Sequence, residues 1–119
     1  AVTVLTSMAE ADLAEVGFQG AALARVVALA KLTEKAGLDG VVCSAQEASE
    51  LRKVVDPAFA LVTPGIRLKG DAMGDQKRVV DPAAAIAAGA NYLVMGRSIT
   101  AATDPIAAIK RILSSLEPE

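Results

Sequence analysis

Two short runs each combine a glycine with an arginine, a pair of residues that suits an anionic ligand. One is Met95-Gly96-Arg97-Ser98 and the other is Thr63-Pro64-Gly65-Ile66-Arg67. A glycine lets an anion approach backbone N–H groups closely, and an arginine beside it can hold a phosphate through two N–H groups. The two runs therefore predict a phosphate-ester site. A turn glycine beside a solvated arginine is the alternative for either run taken singly.

The stretch after Arg67 is the second candidate for binding chemistry. Residues 68–76 are polar and contain glycines, and they exceed the usual connection of about 2–6 residues between a strand and a helix. A long loop at this place is typical of a binding loop. Asp75, Lys77 and Asp81 bring together the groups of a proton-transfer site, but Asp81 is better explained as a helix cap. We interpret Lys77-Arg78 as a polar junction between loop and helix.

Thr6-Ser7 follows an apolar run near the start of the sequence. Their hydroxyl groups suit two roles, which are to orient a ligand amide or to cap the next helix. The residues alone leave both roles open.

The composition excludes several kinds of site. Without histidine there is no Ser-His-Asp or Cys-His nucleophile and no His-ligated metal. The single Cys43 cannot form an internal disulfide, is expected to pack as a small apolar residue, and suits a reducing cytoplasm. A net charge of -2 and 3% aromatic residues argue against nucleic acid as a partner. No apolar run approaches the roughly 18 residues that span a bilayer, so no membrane partner is expected.

Four short apolar runs predict the strands that must position these residues. They lie at residues 2–5, 40–43, 59–62 and 92–95, and each is followed by helical sequence. Continuous rather than alternating apolar runs are typical of parallel strands buried on both faces. The fold class is therefore α/β, with four βα units across residues 1–119 in a single domain. These units fit either a small open sheet or half of an eight-stranded barrel. Because the sequence opens directly on the first strand, we expect a chain cut at an element boundary.

Helix signals support this division. Ser44-Ala45-Gln46-Glu47 is a capping box, and Asp81-Pro82 and Asp104-Pro105 each pair an N-cap with a proline at the first helical position. A longer helix is predicted over residues 20–36. The side chains expected to face the core are Leu23, Val26, Val27 and Ala30 in that helix, Ala48, Leu51, Val54 and Val55 after the capping box, and Ile106, Ile109, Ile112, Leu113 and Leu116 in the last helix.

Four runs taken together, in order and with their spacings, resemble a known family. They are Thr3-Val4-Leu5-Thr6-Ser7-Met8, Gly37-Leu38-Asp39-Gly40-Val41-Val42-Cys43-Ser44, Leu61-Val62-Thr63-Pro64-Gly65-Ile66-Arg67 and Met95-Gly96-Arg97-Ser98-Ile99-Thr100. The resemblance is to the carboxyl-terminal half of orotidine 5′-phosphate decarboxylase, bacterial type. It implies the (βα)4 half of a TIM (β/α)8 barrel, with strands five to eight and their helices. That family works as a homodimer in pyrimidine biosynthesis and makes uridine 5′-phosphate (UMP) and CO2 from orotidine 5′-phosphate without metal or organic cofactor.

The resemblance also implies roles for individual residues. Arg97 and the Gly96 backbone would hold the 5′-phosphate, and Arg67, after the Pro64-Gly65 turn, would contact it as well. Gln76 would bridge the phosphate and the pyrimidine, and Thr6 and Ser7 would contact the pyrimidine or its amide.

One departure from the family is decisive for the chemistry. The family's reacting groups lie in an Asp-x-Lys-x-x-Asp motif and a further lysine of the other half, and the motif is absent here. We therefore expect no catalytic residue in this chain and no activity by the chain alone. Alternatives are a half-barrel scaffold that binds phosphate without catalysis, and part of a sugar-phosphate decarboxylase or epimerase barrel. The expected partners are a nucleotide or phosphate, together with either the missing half-barrel or a second copy of the chain.

Overall fold

The computed structural model describes residues 1–71 and 78–117. Its elements, in chain order, are α1 (Glu10–Glu15), α2 (Ala22–Lys35), β1 (Gly40–Val42), a 3₁₀ turn (Ala45–Glu47), α3 (Ala48–Arg52), β2 (Ala60–Thr63), α4 (Pro82–Ala87), β3 (Tyr92–Leu93), α5 (Arg97–Thr100) and α6 (Pro105–Leu116). The sequence did not predict α1 and α5 as separate helices. None of the helices in the described ranges is both long and apolar enough to cross a membrane.

The three strands form one parallel sheet in the order β1-β2-β3. Val41 of β1 lies opposite Leu61 of β2, and Thr63 of β2 lies opposite Leu93 of β3. The crossovers between these strands contain helices, as expected for parallel pairing. Strands are thus confirmed in the second, third and fourth predicted runs, at slightly different bounds.

The first predicted strand is reduced to a single parallel bridge between Val2 and Val42. The Val42 N–H donates to the Ala1 carbonyl at 2.7 Å, and the Thr3 N–H donates to the Val42 carbonyl at 3.0 Å. The next donor in this ladder would be the Ser44 N–H, which instead donates to the Glu47 carboxylate at 2.8 Å. The ladder therefore stops at Thr3 because the helix cap takes the next N–H.

The main core lies between the sheet and the helices α2 and α3. Its buried members are Val4, Leu13, Ala22, Val26, Ala30, Val41, Cys43, Ala48, Leu51, Val55, Phe59 and Leu61. A smaller cluster of Ala45, Ile66, Ala85 and Ala90 lies beside α4. Ala48, Leu51 and Val55 are buried as predicted, whereas Leu23 of α2 and Val54, just after α3, are exposed.

The last helix differs most from its predicted burial. Ile112 is buried, but Ile106, Ile109, Leu113 and Leu116 are exposed, with 67% of the Ile106 surface accessible. Helix α6 packs on α4 and α5 through Ala108 and Ile112. Within the described ranges, the wider apolar stripe of α6 has no partner that covers it.

One arginine side chain connects several backbone segments at the edge of the sheet where the strands begin. From α3, Arg52 donates through Nε to the Gly89 carbonyl at 3.0 Å and through Nη1 to the Phe59 carbonyl at 2.6 Å. Its Nη2 donates to Asn91 Oδ1, which also accepts the Leu61 N–H. The starts of β2 and β3 are thereby fixed relative to α3.

Candidate functional site

The predicted binding residues gather at the opposite edge, where the strands end. Because the strands are parallel, the segments after β2 and β3 leave the sheet on the same side. Arg67 follows β2 by four residues, and Arg97 follows β3 by four residues. Thr6 and Ser7 follow the bridge of the first segment with Val42.

Arg67 and Arg97 line one cavity of about 620 Å³ at this edge. Arg67 is buried, and its Nη1 donates to the Ile66 carbonyl at 2.8 Å, which orients the guanidinium. Arg97 begins α5 and is exposed. Two side chains from separate strand ends therefore bring two positive charges to one concave surface, which suits a dianion such as a phosphate monoester.

The cavity also contains a cation that the sequence analysis did not identify. Arg111 of α6 lines it, together with Asp71 and Asp104. Asp104 Oδ1 accepts the Ala107 N–H at 3.0 Å, so this carboxylate acts as the predicted cap of α6. The apolar periodicity of α6 identifies a different face of the helix from the one that carries Arg111. The one available signal was an arginine placed seven residues, about two turns, after the cap.

Gly96 is the N-cap residue of α5. Its carbonyl accepts the N–H groups of Ile99 and Thr100 at 2.9 and 3.0 Å. A Cβ added to Gly96 would meet no described atom within 4 Å, so packing does not require glycine at this position. The backbone beside Arg97 therefore has open space on its outer side.

Thr6 and Gly65 form a second group at this edge. Gly65 has a φ of +73°, and a Cβ there would lie 2.8 Å from the Arg78 carbonyl oxygen and 3.3 Å from Thr6 Cβ. Only glycine fits both the left-handed backbone and this close approach. Thr6 is buried, while Ser7 and Pro64 are half-buried. The segment from Gly65 to Arg67 joins this group to the arginine cavity.

Arg78 corrects the sequence analysis, which interpreted it as part of a polar junction. Its side chain is only 13% exposed and forms an ion pair with Glu47, whose side chain is 6% exposed. Burial lowers the pKa of Arg78. Burial also raises the pKa of the nearby Cys43 thiol to about 11, against the opposing effect of the Arg52 and Arg78 charges. Cys43 is thus a buried thiol rather than a nucleophile.

The other predicted residues lie in the stretch after Arg67 or at a helix cap. Gln76, Asp75 and Lys77 lie outside the described residues. Asp81 Oδ1 accepts the Ala84 N–H at 2.9 Å, so Asp81 is the cap of α4 as predicted. In the ranges 1–71 and 78–117, no three His, Cys, Asp or Glu side chains come together as a metal site.

Comparison with known proteins gives consistent matches over nearly the whole chain. Orotidine 5′-phosphate decarboxylase of Idiomarina loihiensis is 57% identical over 116 residues, which are 98% of this chain and 50% of the relative. The protein of the same name from Neisseria meningitidis serogroup A is 55% identical over 112 residues, 93% of this chain and 46% of the relative. The chain spans about half the length of these curated relatives.

A solved structure agrees in fold. The crystal structure of orotidine 5′-phosphate decarboxylase from Lactobacillus acidophilus superposes with a TM-score of 0.78 at 34% identity, covering 98% of this chain and 48% of that one. The parallel sheet with its crossover helices corresponds to half of that TIM barrel, as the sequence predicted. Residues 1–112 match the family described as orotidine 5′-phosphate decarboxylase / HUMPS. This chain belongs to the orotidine 5′-phosphate decarboxylase / HUMPS family and represents the carboxyl-terminal half of its barrel.

Proposed function

We propose that residues 1–119 form one (βα)4 half-barrel that holds the phosphate and pyrimidine of the substrate in an orotidine 5′-phosphate decarboxylase. The complete barrel would convert orotidine 5′-phosphate to UMP and CO2 in pyrimidine biosynthesis. The observation that carries the proposal is the convergence of Arg67 and Arg97, from two different strand ends, on one cavity.

The phosphate end of the ligand belongs in this cavity. Arg97 is exposed at the start of α5, and the open space beside Gly96 admits an oxygen close to the backbone. Arg67 contributes a second positive charge from the segment after β2, with its guanidinium oriented by the Ile66 carbonyl. Gln76 would bridge the phosphate and the pyrimidine from the loop.

The pyrimidine end belongs at Thr6 and Ser7. They lie at the same edge of the sheet, joined to the phosphate cavity by the turn at Pro64 and Gly65. A hydroxyl group both donates and accepts, which matches the alternating N–H and C=O groups of a pyrimidine. This chemistry, and the names of the relatives at 55–57% identity, favour a nucleotide over an open-chain sugar phosphate.

Phosphate binding by the chain is tested by isothermal titration with UMP. Replacing Arg97 by alanine removes a charge-assisted contact and is expected to weaken UMP binding by about 2–5 kcal/mol, at least roughly 30-fold. Arg25→Ala is the matched control, because Arg25 is likewise a helix arginine, in α2, but does not line this cavity. A change of less than threefold for Arg97→Ala would remove Arg97 from the site.

Catalysis is tested by reconstitution. The chain alone is expected to release no CO2 from orotidine 5′-phosphate above background, because holding a phosphate supplies no proton donor to the reacting carbon. Adding the separately expressed amino-terminal half of the Idiomarina loihiensis relative is expected to restore turnover. Turnover by the purified chain alone, retained after Arg97→Ala, would mean that a different site carries the activity.

The partner of the chain is the other half-barrel or a second copy of itself. The exposed stripe of α6 and the outer edge of β3, which pairs with no strand of residues 1–71 and 78–117, support association, since apolar surface and free strand edges both favour it. The single reduced Cys43 supports a cytoplasmic location.

A further inference from the structure

Arg78 makes contacts at the edge of the sheet where the strands end, and its position in the sequence does not suggest them. Its Nη2 donates to the carbonyl oxygens of both Val4 and Leu5 at 3.0 Å. Its backbone N–H donates to the Thr6 carbonyl at 3.3 Å, and its Nη1 pairs with Glu47. Three consecutive carbonyls of the first segment are thus held by one residue.

The same residue also reaches the two neighbouring strand ends. Glu47, its ion-pair partner, accepts the Ser44 N–H directly after β1. The Arg78 carbonyl oxygen packs against Gly65 after β2, and the Gly65 carbonyl accepts the Val80 N–H at 3.2 Å. Arg78 therefore connects the end of the first segment to the ends of β1 and β2.

These contacts replace a strand neighbour that the first segment lacks. Its ladder with β1 stops at Thr3, because the Ser44 N–H is taken by Glu47. Beyond Thr3 the segment has no ladder contact with β1, and there the Arg78 guanidinium donates to the carbonyls of Val4 and Leu5. A buried ion pair is not by itself a source of net stability, so its contribution here is better sought in the geometry it imposes.

We propose that Arg78 is a positioning residue that fixes Thr6 and Ser7 for recognition of the pyrimidine, without itself contacting the ligand. The proposal rests on the function proposed above. It separates the two ends of the ligand: loss of the Arg78 guanidinium displaces the hydroxyl groups at Thr6 and Ser7, while the cavity of Arg67 and Arg97 keeps its affinity for phosphate.

The test uses the 119-residue chain with matched variants. The double variant Glu47→Gln/Arg78→Met removes both charges, so that no unpaired carboxylate stays buried. Arg78→Lys keeps the charge but cannot reach all the acceptors of the guanidinium fork. Arg52→Lys is the control, since Arg52 also binds three acceptors but at the edge where the strands begin.

The first readout is amide hydrogen exchange, which needs no ligand. The Met8 N–H donates to the Leu5 carbonyl that Arg78 holds, and the Asn91 N–H donates to the Leu61 carbonyl beside Arg52. The double variant is expected to speed exchange at Met8 at least tenfold and to leave Asn91 unchanged. Arg52→Lys is expected to do the reverse.

The second readout compares the affinities for UMP and for inorganic phosphate. The double variant is expected to lose at least tenfold in affinity for UMP, with affinity for inorganic phosphate within twofold of the unmodified chain. Arg78→Lys is expected to fall between the two, and Arg52→Lys to leave the ratio unchanged.

Several results would overturn the proposal. Unchanged exchange at Met8 would show that Arg78 does not fix this segment, and an equal loss for both ligands would place its effect on the phosphate or on the fold. If the double variant does not fold, Arg78→Lys decides by the same two readouts. If the unmodified chain fails to prefer UMP over inorganic phosphate, the proposed function is wrong, and exchange at Met8 alone still decides whether Arg78 positions the segment.

Discussion

Because the Cys43 thiol is buried, the free energy of unfolding is expected to fall as the pH rises in the alkaline range. Burial raises the pKa of this thiol from 9.0 to about 11, because the thiolate would have to be formed in the apolar core between the sheet and α3. The folded state therefore keeps the thiol proton over a pH range in which the unfolded chain has released it. Retention of this proton contributes to the free energy of unfolding, and the contribution is complete below about pH 9 and is lost as the pH rises to about 11.

The size of the effect follows from the shift. A difference of about two pKa units corresponds to roughly 2.7 kcal/mol of unfolding free energy, lost progressively across this range. Lysine and tyrosine groups titrate in the same range, so the unmodified chain must be compared with Cys43→Ala. The loss of packing lowers the unfolding free energy of the variant by an amount that does not depend on pH. Only the pH dependence of the difference in unfolding free energy between the two proteins therefore reports on the thiol.

The assay is urea unfolding of both proteins between about pH 8 and pH 11. The difference in unfolding free energy between the unmodified chain and Cys43→Ala is expected to shrink by about 2–3 kcal/mol as the pH rises. Parallel pH profiles for the two proteins would refute the reasoning, as would rapid reaction of the native thiol with a disulfide reagent at about pH 8.

Three further changes test the packing of the chain. Gly40→Ala would place a Cβ against the Ala60 carbonyl oxygen and 2.7 Å from Ala60 Cβ, so the unfolding free energy measured in urea is expected to fall by about 3 kcal/mol. Gly96→Ala, which has open space, is expected to lower it by less than about 1 kcal/mol, and equal losses would contradict the close approach of β1 and β2. Asp104→Ala removes the cap of α6 and is expected to cost about 1 kcal/mol in the same measurement, whereas Asp104→Asn, which retains an acceptor, should restore most of it. The chain is expected to self-associate in sedimentation equilibrium at micromolar concentration. Leu113→Lys, on the exposed stripe of α6, is expected to weaken that association. An unmodified chain that is purely monomeric and unfolds cooperatively would contradict both statements.

Local signals in the sequence predicted the parts of this fold that depend on neighbouring residues. The capping box at Ser44 and the caps at Asp81 and Asp104 were all confirmed, because each cap acts within three residues of its own position. Arg67 and Arg97 were predicted by residue type and by the rule that parallel strands end at one edge. The structure brings them to one cavity, while their contact with a ligand stays a prediction.

The parts that the sequence did not predict depend on residues far apart in the chain. The pairing of Arg78 with Glu47 joins positions 31 residues apart, and no local pattern links them. The stripe of α6 was predicted to be buried, but periodicity reveals only that a face is apolar and not whether this chain supplies its cover. The first strand was shortened by a competition for one N–H group, which depends on the position of Glu47 rather than on β propensity.

The reach of Arg78 has a consequence for how the chain folds during synthesis. The contacts that hold Val4 and Leu5 span 74 and 73 residues, whereas the hydrogen bond from Thr3 Oγ1 to the Val42 carbonyl spans 39. Contacts of such long sequence separation form slowly, because closing a long loop costs conformational entropy before the contact stabilises it. On a ribosome, the start of this sequence must therefore wait until Arg78 has left the exit tunnel. Thr6 is therefore synthesised well before Arg78, the residue whose contacts complete this end of the site.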